Sequence, residues 1–294
     1  MNSGQKLYKR AKKIIPGGNM LLSKRPEMFL PNTWPSYFSK SKGCKVWDLD
    51  DNEYLDMSIM GIGTNILGYG CSEVDSAVNQ TIKKGNMSTL NCPEEVYLAE
   101  KLISIHPWAD MARFARSGGE ANAIAIRIAR AKTGKDKIAI CGYHGWHDWY
   151  LATNLENNTQ LNEHLLPGLE PIGVPKSLKG SVIPFAYNNF NQLEEIVKNN
   201  EIAAIKMEVE RSIPPRKGFL ENVRKLCNKK GIILIFDECT SGFRETFGGL
   251  HLKYGINPDM AMFGKALGNG YAITAVIGKK EIMDSTQNTF ISST

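Results

Sequence analysis

The chain has 294 residues, is 42% hydrophobic and 22% charged, and carries 36 basic against 30 acidic residues for a net charge of +6. This is ordinary for a soluble globular protein, with room for one large domain or two smaller ones. No apolar run is long enough to span a membrane, and six scattered cysteines without a C-x-x-C exclude a zinc ribbon and a disulfide framework.

The N-terminal stretch MNSGQKLYKRAKKII is basic but has no secretory h-region, so a cytoplasmic location is expected. Its lysines and arginine (Lys6, Lys9, Arg10, Lys12, Lys13) form the solvated face of a first helix that ends at Pro16-Gly17-Gly18. No aromatic–basic interleaving accompanies them, so neither nucleic acid nor membrane is expected as a partner; a modest positive field suits anionic small molecules. KVWDLDDNEYLDMS reads as a hairpin turning at Asp50-Asp51-Asn52. Residues 1–70 are expected to form an N-terminal segment around that hairpin.

From residue 71 to 280 a large α/β domain is expected. CSEVDSAVNQTIKK and PEEVYLAEKLISI have helical apolar spacing, MARFARS is strand-like, and GGEANAIAIRIARAKTG is a helix closed by Gly134. DKIAICG is a strand, followed over 142–180 by a long polar segment punctuated by Gly and Pro. Alternation then resumes: strand SVIPFA, helix NFNQLEEIVKNN, strand IAAIKMEVE, helix FLENVRKLCNKKG, then the strands IILIFDE, DMAMFGK and AITAVIG. Continuous apolar strands between amphipathic helices imply a mainly parallel central sheet with helices on both faces. The last stretch, 281–294, starts a helix and an extended run and then stops. It is expected to be the start of a truncated C-terminal region, with apolar surface exposed there.

Four elements carry chemistry. Asp237 ends an apolar strand, where open α/β sheets bind ligands, and a buried carboxylate needs a partner such as a protonated pyridine nitrogen. Lys265 follows DMAMFG; a lysine in apolar surroundings has a lowered pKa and can act as a free amine that forms an imine. Ser117, Gly118 and Gly119 form a turn into a helix N-terminus, which suits a phosphate. In CGYHGWHDWY, Tyr143 or His144 could stack on a flat ring. His144, His147 and Asp148 could be read as metal ligands, but the H-x-x-H lies on no predicted helix and has no obvious further ligand, so no metal is expected. Each element alone has an ordinary structural explanation, but together they are the parts needed to hold pyridoxal 5'-phosphate.

In this order the motifs resemble the fold-type I pyridoxal-phosphate enzymes, specifically the class III aminotransferases and the related glutamate-1-semialdehyde 2,1-aminomutases. The resemblance runs from PGG at 16–18 through IFDECTSGFR and FGKALGNG to FISST. It implies that Lys265 carries the internal aldimine and shuttles protons, and that Asp237 pairs with the pyridinium nitrogen. It further implies that Gly118 and Gly119 hold the phosphate by backbone N–H, that Tyr143 stacks on the ring, and that Glu208 matches the Glu of a Glu-Pro strand end near the cofactor. Thr294 matches a Thr that reaches the phosphate of the neighbouring subunit in a homodimer. Arg25 lies near where the aminomutase binds its substrate carboxylate.

The chain departs from the pattern at Gly119 (usually Thr), Val209 (usually Pro), Cys239 (usually Val) and Asn269, which interrupts a Gly run. The segment after Tyr143-His144-Gly145 is longer than the aminomutase's gate. Family members continue into a C-terminal domain that closes the active site. The expected activity is transfer of an amino group between an amine donor and a carbonyl substrate. The alternatives are an aminomutase that moves an amine within one substrate, and a non-catalytic cofactor-binding fragment. A nucleotide-binding dehydrogenase is suggested superficially by GIGTNILGYG at 61–70, but no strand-to-helix G-x-G-x-x-G is present.

Overall fold

The computed structural model describes residues 1–85, 88–164 and 168–292. The chain divides into two compact units, Met1–Leu90 and Asn91–Thr294.

The first unit opens with the helix Ser3–Ile14, started by Asn2, whose side chain accepts Gln5 N while the Gln5 side chain accepts Asn2 N. A three-stranded antiparallel sheet follows: β1 (Phe38–Lys42), β2 (Lys45–Asp48) and β3 (Glu53–Leu55). The expected hairpin is the β2–β3 pair. Its turn is organised by buried Asp48, which accepts from Asp50 N, Asn52 N and Tyr54 OH. β1 is a third strand that FSKSK does not announce: it has no apolar alternation and is held by the backbone ladder to β2. The glycine-rich stretch at 61–70 forms left-handed turns at Gly61, Gly63, Gly68 and Gly70 before the helix Ser72–Lys84, with no strand leading into a nucleotide loop.

The second unit is built on a seven-stranded sheet in the order β4-β10-β9-β8-β7-β5-β6. The strands are β4 (Met111–Ala115), β5 (Lys137–Cys141), β6 (Val182–Pro184), β7 (Ile202–Glu208), β8 (Ile233–Asp237), β9 (Met260–Phe263) and β10 (Thr274–Gly278). All pair in parallel except β10, which runs antiparallel to both β9 and β4. β7 and β8 are buried at every residue, as continuous apolar runs in the middle of a covered parallel sheet should be.

One face packs on the helix Gly118–Thr133, whose buried stripe is Ala121, Ile124, Ala125, Ile128 and Ala129. That helix starts at a Ser117–Glu120 capping box and ends at Gly134 with φ 67°. The other face packs on the helices Phe190–Asn199 and Phe219–Lys230, through Leu193, Val197, Leu220 and Val223. A third apolar cluster joins Leu102, from the helix Pro93–Ile105, to Ala261, Phe263, Ala275 and Ile277. Near the end of the chain Ile282 and Met283 are buried and Ile291 packs on the core, while Phe290 is exposed. Among the described residues no helix is long and apolar enough to cross a membrane.

Candidate active site

A parallel sheet delivers its strand ends to one rim. Register places Glu208 beside Asp237, Asp237 beside Met262, and Cys141 beside Met207. The residues at or just past the ends of β4, β5, β7, β8 and β9 therefore emerge together: Ser117 to Gly119, Tyr143 and His144, Glu208, Asp237, and Lys265. β10, running the other way, starts at this rim with Thr274, whose hydroxyl donates to Ser117 O (3.2 Å). The carboxyl edge of such a sheet is where open α/β folds bind ligands.

Asp237 is almost fully buried. Its Oδ2 accepts from His144 Nδ1 (2.9 Å) and faces Lys206 Nζ (3.5 Å), while Oδ1 accepts from Cys239 N (3.1 Å). Burial alone would raise its pKa. The Lys206 charge, the His144 bond and the Cys239 N–H outweigh it and hold the carboxyl far below the usual range. His144 is itself enclosed. Burial pushes it down to about 4, against the bond to Asp237 and with help from Lys206. It is therefore neutral near pH 7, with Nδ1–H donated to the carboxylate, and its Nε2 is buried without a partner.

Lys265 sits at φ 46°, a left-handed conformation that a side-chain-bearing residue adopts only when its surroundings impose it. Its Nζ donates to Thr240 Oγ1 (2.9 Å). Burial lowers its pKa; Cys239 and Asp237 oppose the shift and Arg244 adds to it. Glu208 is buried with its pKa raised, first by burial and then by Asp237, while Arg211 Nη1 (3.0 Å) and Tyr143 N (3.2 Å) bind its Oε2. Tyr143 is half-buried, meeting Tyr150 edge-on with centroids 6.0 Å apart.

The residues fit pyridoxal phosphate. Glu120 turns its carboxylate back to Arg116 N and Ser117 N, leaving the first-turn N–H groups of Gly118 and Gly119 for an incoming anion. A Cβ on Gly119 would run into the His147 ring, and one on Gly142 would meet Glu208 Oε2 at 2.5 Å, so with these side chains in place both positions are fitted to glycine. An ionised carboxylate suits a protonated ring nitrogen, and a lysine of lowered pKa suits an imine.

The structure thus brings Ser117, Gly118, Gly119, Tyr143, His144, Glu208, Asp237 and Lys265 to one edge. Arg25 belongs to the first unit, where its guanidinium lies against Gly17. Thr294 lies outside the described residues. Sequence reasoning missed Lys206, fully buried inside KMEVE, the Glu208–Arg211 ion pair, and Thr240 at Lys265. The Arg211 pair had a signal, opposite charges three residues apart; buried Lys206 had none.

A mainly parallel sheet with an ionised Asp and a lysine of lowered pKa at its carboxyl rim is the ground plan of a pyridoxal-phosphate fold-type I protein. Residues 31–294 match the Aminotransferase class-III family, and the chain belongs to it. It is 38% identical to a 3-aminobutyryl-CoA aminotransferase of Cloacimonas acidaminovorans, over 98% of this chain and 67% of that protein. It is 35% identical to a glutamate-1-semialdehyde 2,1-aminomutase of Methanothrix thermoacetophila, over 97% of this chain and 65% of that protein. Among solved structures it superposes on the PLP internal aldimine form of the FumI protein of Sphingopyxis sp. MTA144, with TM-score 0.84 and 28% identity, covering 99% of this chain and 68% of that one. The chain spans about two thirds of the length of the curated relatives it matches.

Proposed function

We propose that the protein is a pyridoxal-phosphate-dependent aminotransferase that moves an amino group from an amine donor to a carbonyl acceptor. The observation that carries this is the pairing, at one rim, of a buried Asp237 held ionised with a half-buried Lys265 whose ammonium is disfavoured by burial.

When bound, the cofactor supplies an imine-forming aldehyde and a ring that withdraws electrons from a carbanion. The chain supplies the rest. Asp237 holds the ring nitrogen protonated, and His144, donating to Asp237, fixes the carboxylate's direction. Gly118 and Gly119 offer N–H groups to the phosphate, with Ser117 capping the helix behind them. Tyr143 would supply a face for the ring, and Glu208, anchored by Arg211, would border it. Lys265 Nζ takes and returns the substrate's α-proton, and Thr240 Oγ1 positions that amine. Arg25 is assigned to an anionic group of the substrate and Thr294 to the phosphate of a partner subunit, in a cytoplasmic homodimer.

Absorbance after addition of pyridoxal phosphate tests the assignment. An imine band is expected, lost on borohydride treatment with the label trapped on Lys265, and absent from Lys265→Ala. A band retained in Lys265→Ala would assign the imine to another amine. Turnover that needs no separate carbonyl acceptor would favour an aminomutase, the activity named for the Methanothrix relative.

A further inference from the structure

Lys206 lies in mid-strand β7, in register with Ile140 and Ile235, and has no exposed surface. Its layer of the core is otherwise apolar, with Ala204, Ile235 and Met262 around it. An ammonium there has given up its water and must find a partner. It touches Met262 Sδ (2.9 Å), a weak acceptor, and faces Asp237 Oδ2 (3.5 Å), its one oxygen partner among the described residues. The same Oδ2 takes the His144 Nδ1–H, and His144 Nε2 stays bare. Three ionisable groups therefore share one pocket: a carboxylate, a lysine whose pKa burial lowers against the pull of Asp237, and a neutral imidazole.

We propose that Lys206 is a positioning residue, a built-in counter-cation that holds Asp237 ionised and His144 neutral before the cofactor arrives. It also weakens the site's grip on the proton of the cofactor's ring nitrogen. The second half rests on the proposed function; the first does not. Without Lys206, the carboxylate would draw its balancing proton from elsewhere, and His144 is the group already bonded to it. The other charged or titratable groups facing the pocket are Glu208 from the end of β7 with Arg211 beyond it, Cys239 from the turn after β8, Lys265 from the turn after β9, and His164 from the loop after β5. Arg211 is bound to Glu208 and the Lys265 Nζ to Thr240, so neither side chain is free to replace Lys206.

The test is nitrogen NMR on the 294-residue chain, without cofactor, labelled in histidine. In the native chain His144 should stay neutral with Nδ1–H down to about pH 5. In Lys206→Met, and in Lys206→Gln should the Met variant fail to fold, the pH at which His144 takes its second proton should rise by about two units. Lys206→Arg should match the native chain. An unchanged His144 titration in the neutral variants overturns the assignment. On loading with ring-nitrogen-labelled pyridoxal phosphate, the neutral variants should hold the ring proton to a pH about one unit higher than native. A ring titration that does not move overturns the cofactor half. A native chain that gives no imine band removes the proposed function and the ring half with it, while the His144 titration still decides what Lys206 does.

Discussion

Asp237 and Glu238 are neighbours in sequence, both are buried, and both bind a histidine Nδ1, at 2.9 and 2.8 Å. Their surroundings differ. Glu238 is closed on all sides: Oε1 takes His251 N and Nδ1, and Oε2 takes the Ser241 hydroxyl. The network continues without a gap. Trp108 Nε1 donates to His251 Nε2 (2.9 Å), and His106, stacked on His251, holds Leu102 O and Gly249 N. Around Asp237 the network is open. His144 Nε2 has no partner, and a lysine sits sideways in the apolar layer. A buried polar cluster whose every donor and acceptor is matched is architecture; one left with a bare ring nitrogen and a lysine whose oxygen partner stands 3.5 Å away is built for something that comes and goes.

The contrast is most exposed at Asp237→Asn. Losing the carboxylate should cut turnover by about a thousandfold, since the amide cannot hold the ring proton. Steady-state turnover with an amine donor and a carbonyl acceptor measures it. An Asn variant within tenfold of native would make Asp237 no more functional than its neighbour.

The pH dependence tests His144 next. An unfolded histidine titrates near 6.5, whereas His144 is pushed down to about 4 in the fold. As pH falls through 6.5 the unfolded chain takes a proton that the folded chain refuses. The stability that His144 contributes is therefore lost from about pH 6.5 to pH 4, by roughly 3 kcal/mol, and His106 and His164, also lowered by burial, add to the loss. Asp237, also lowered, adds further loss as pH drops below its ordinary value of 3.8. Urea midpoints between pH 7 and pH 4 measure the slope, and His144→Asn should flatten it. A slope unchanged in that variant would place the acid-sensitive group elsewhere.

How much of this was legible depends on whether the information is local. The helix Gly118–Thr133 was readable because its cap, apolar stripe and terminal glycine lie within one stretch. Asp237 and Lys265 were readable because each ends an apolar run, and strand ends share a rim in a parallel sheet. The His144–Asp237 bond spans 93 residues and follows only from the order in which strands assemble. Lys206 was hidden for the same reason. In IAAIKMEVE a lysine looks like an interruption until Met262 and Asp237 are known to lie on its side of the sheet. β10 was visible as a strand, but its antiparallel direction was not, because apolar alternation is the same read either way.

Glu238→Gln attacks the closed cluster. It exchanges a carboxylate that accepts from His251 and Ser241 for an amide whose NH2 end faces donors, and should cost about 2 kcal/mol of stability. The imine band with pyridoxal phosphate should survive. A Gln variant that is fully stable but no longer forms the band would reverse the roles of the two neighbours.

The smallest effect, and the finest test of closure, is Trp108→Phe. The phenyl ring keeps most of the packing against His106 and His251, so the change removes chiefly one N–H. His251 is wholly buried, and its Nε2 would then be left as bare as His144 Nε2 already is. In a matched network that orphaned acceptor should cost about 1 kcal/mol, read as a lowered urea midpoint with an unchanged slope. A midpoint that does not move would mean that His251 tolerates a bare nitrogen as His144 does, and the distinction between the closed and the open cluster would have to rest on Lys206 alone.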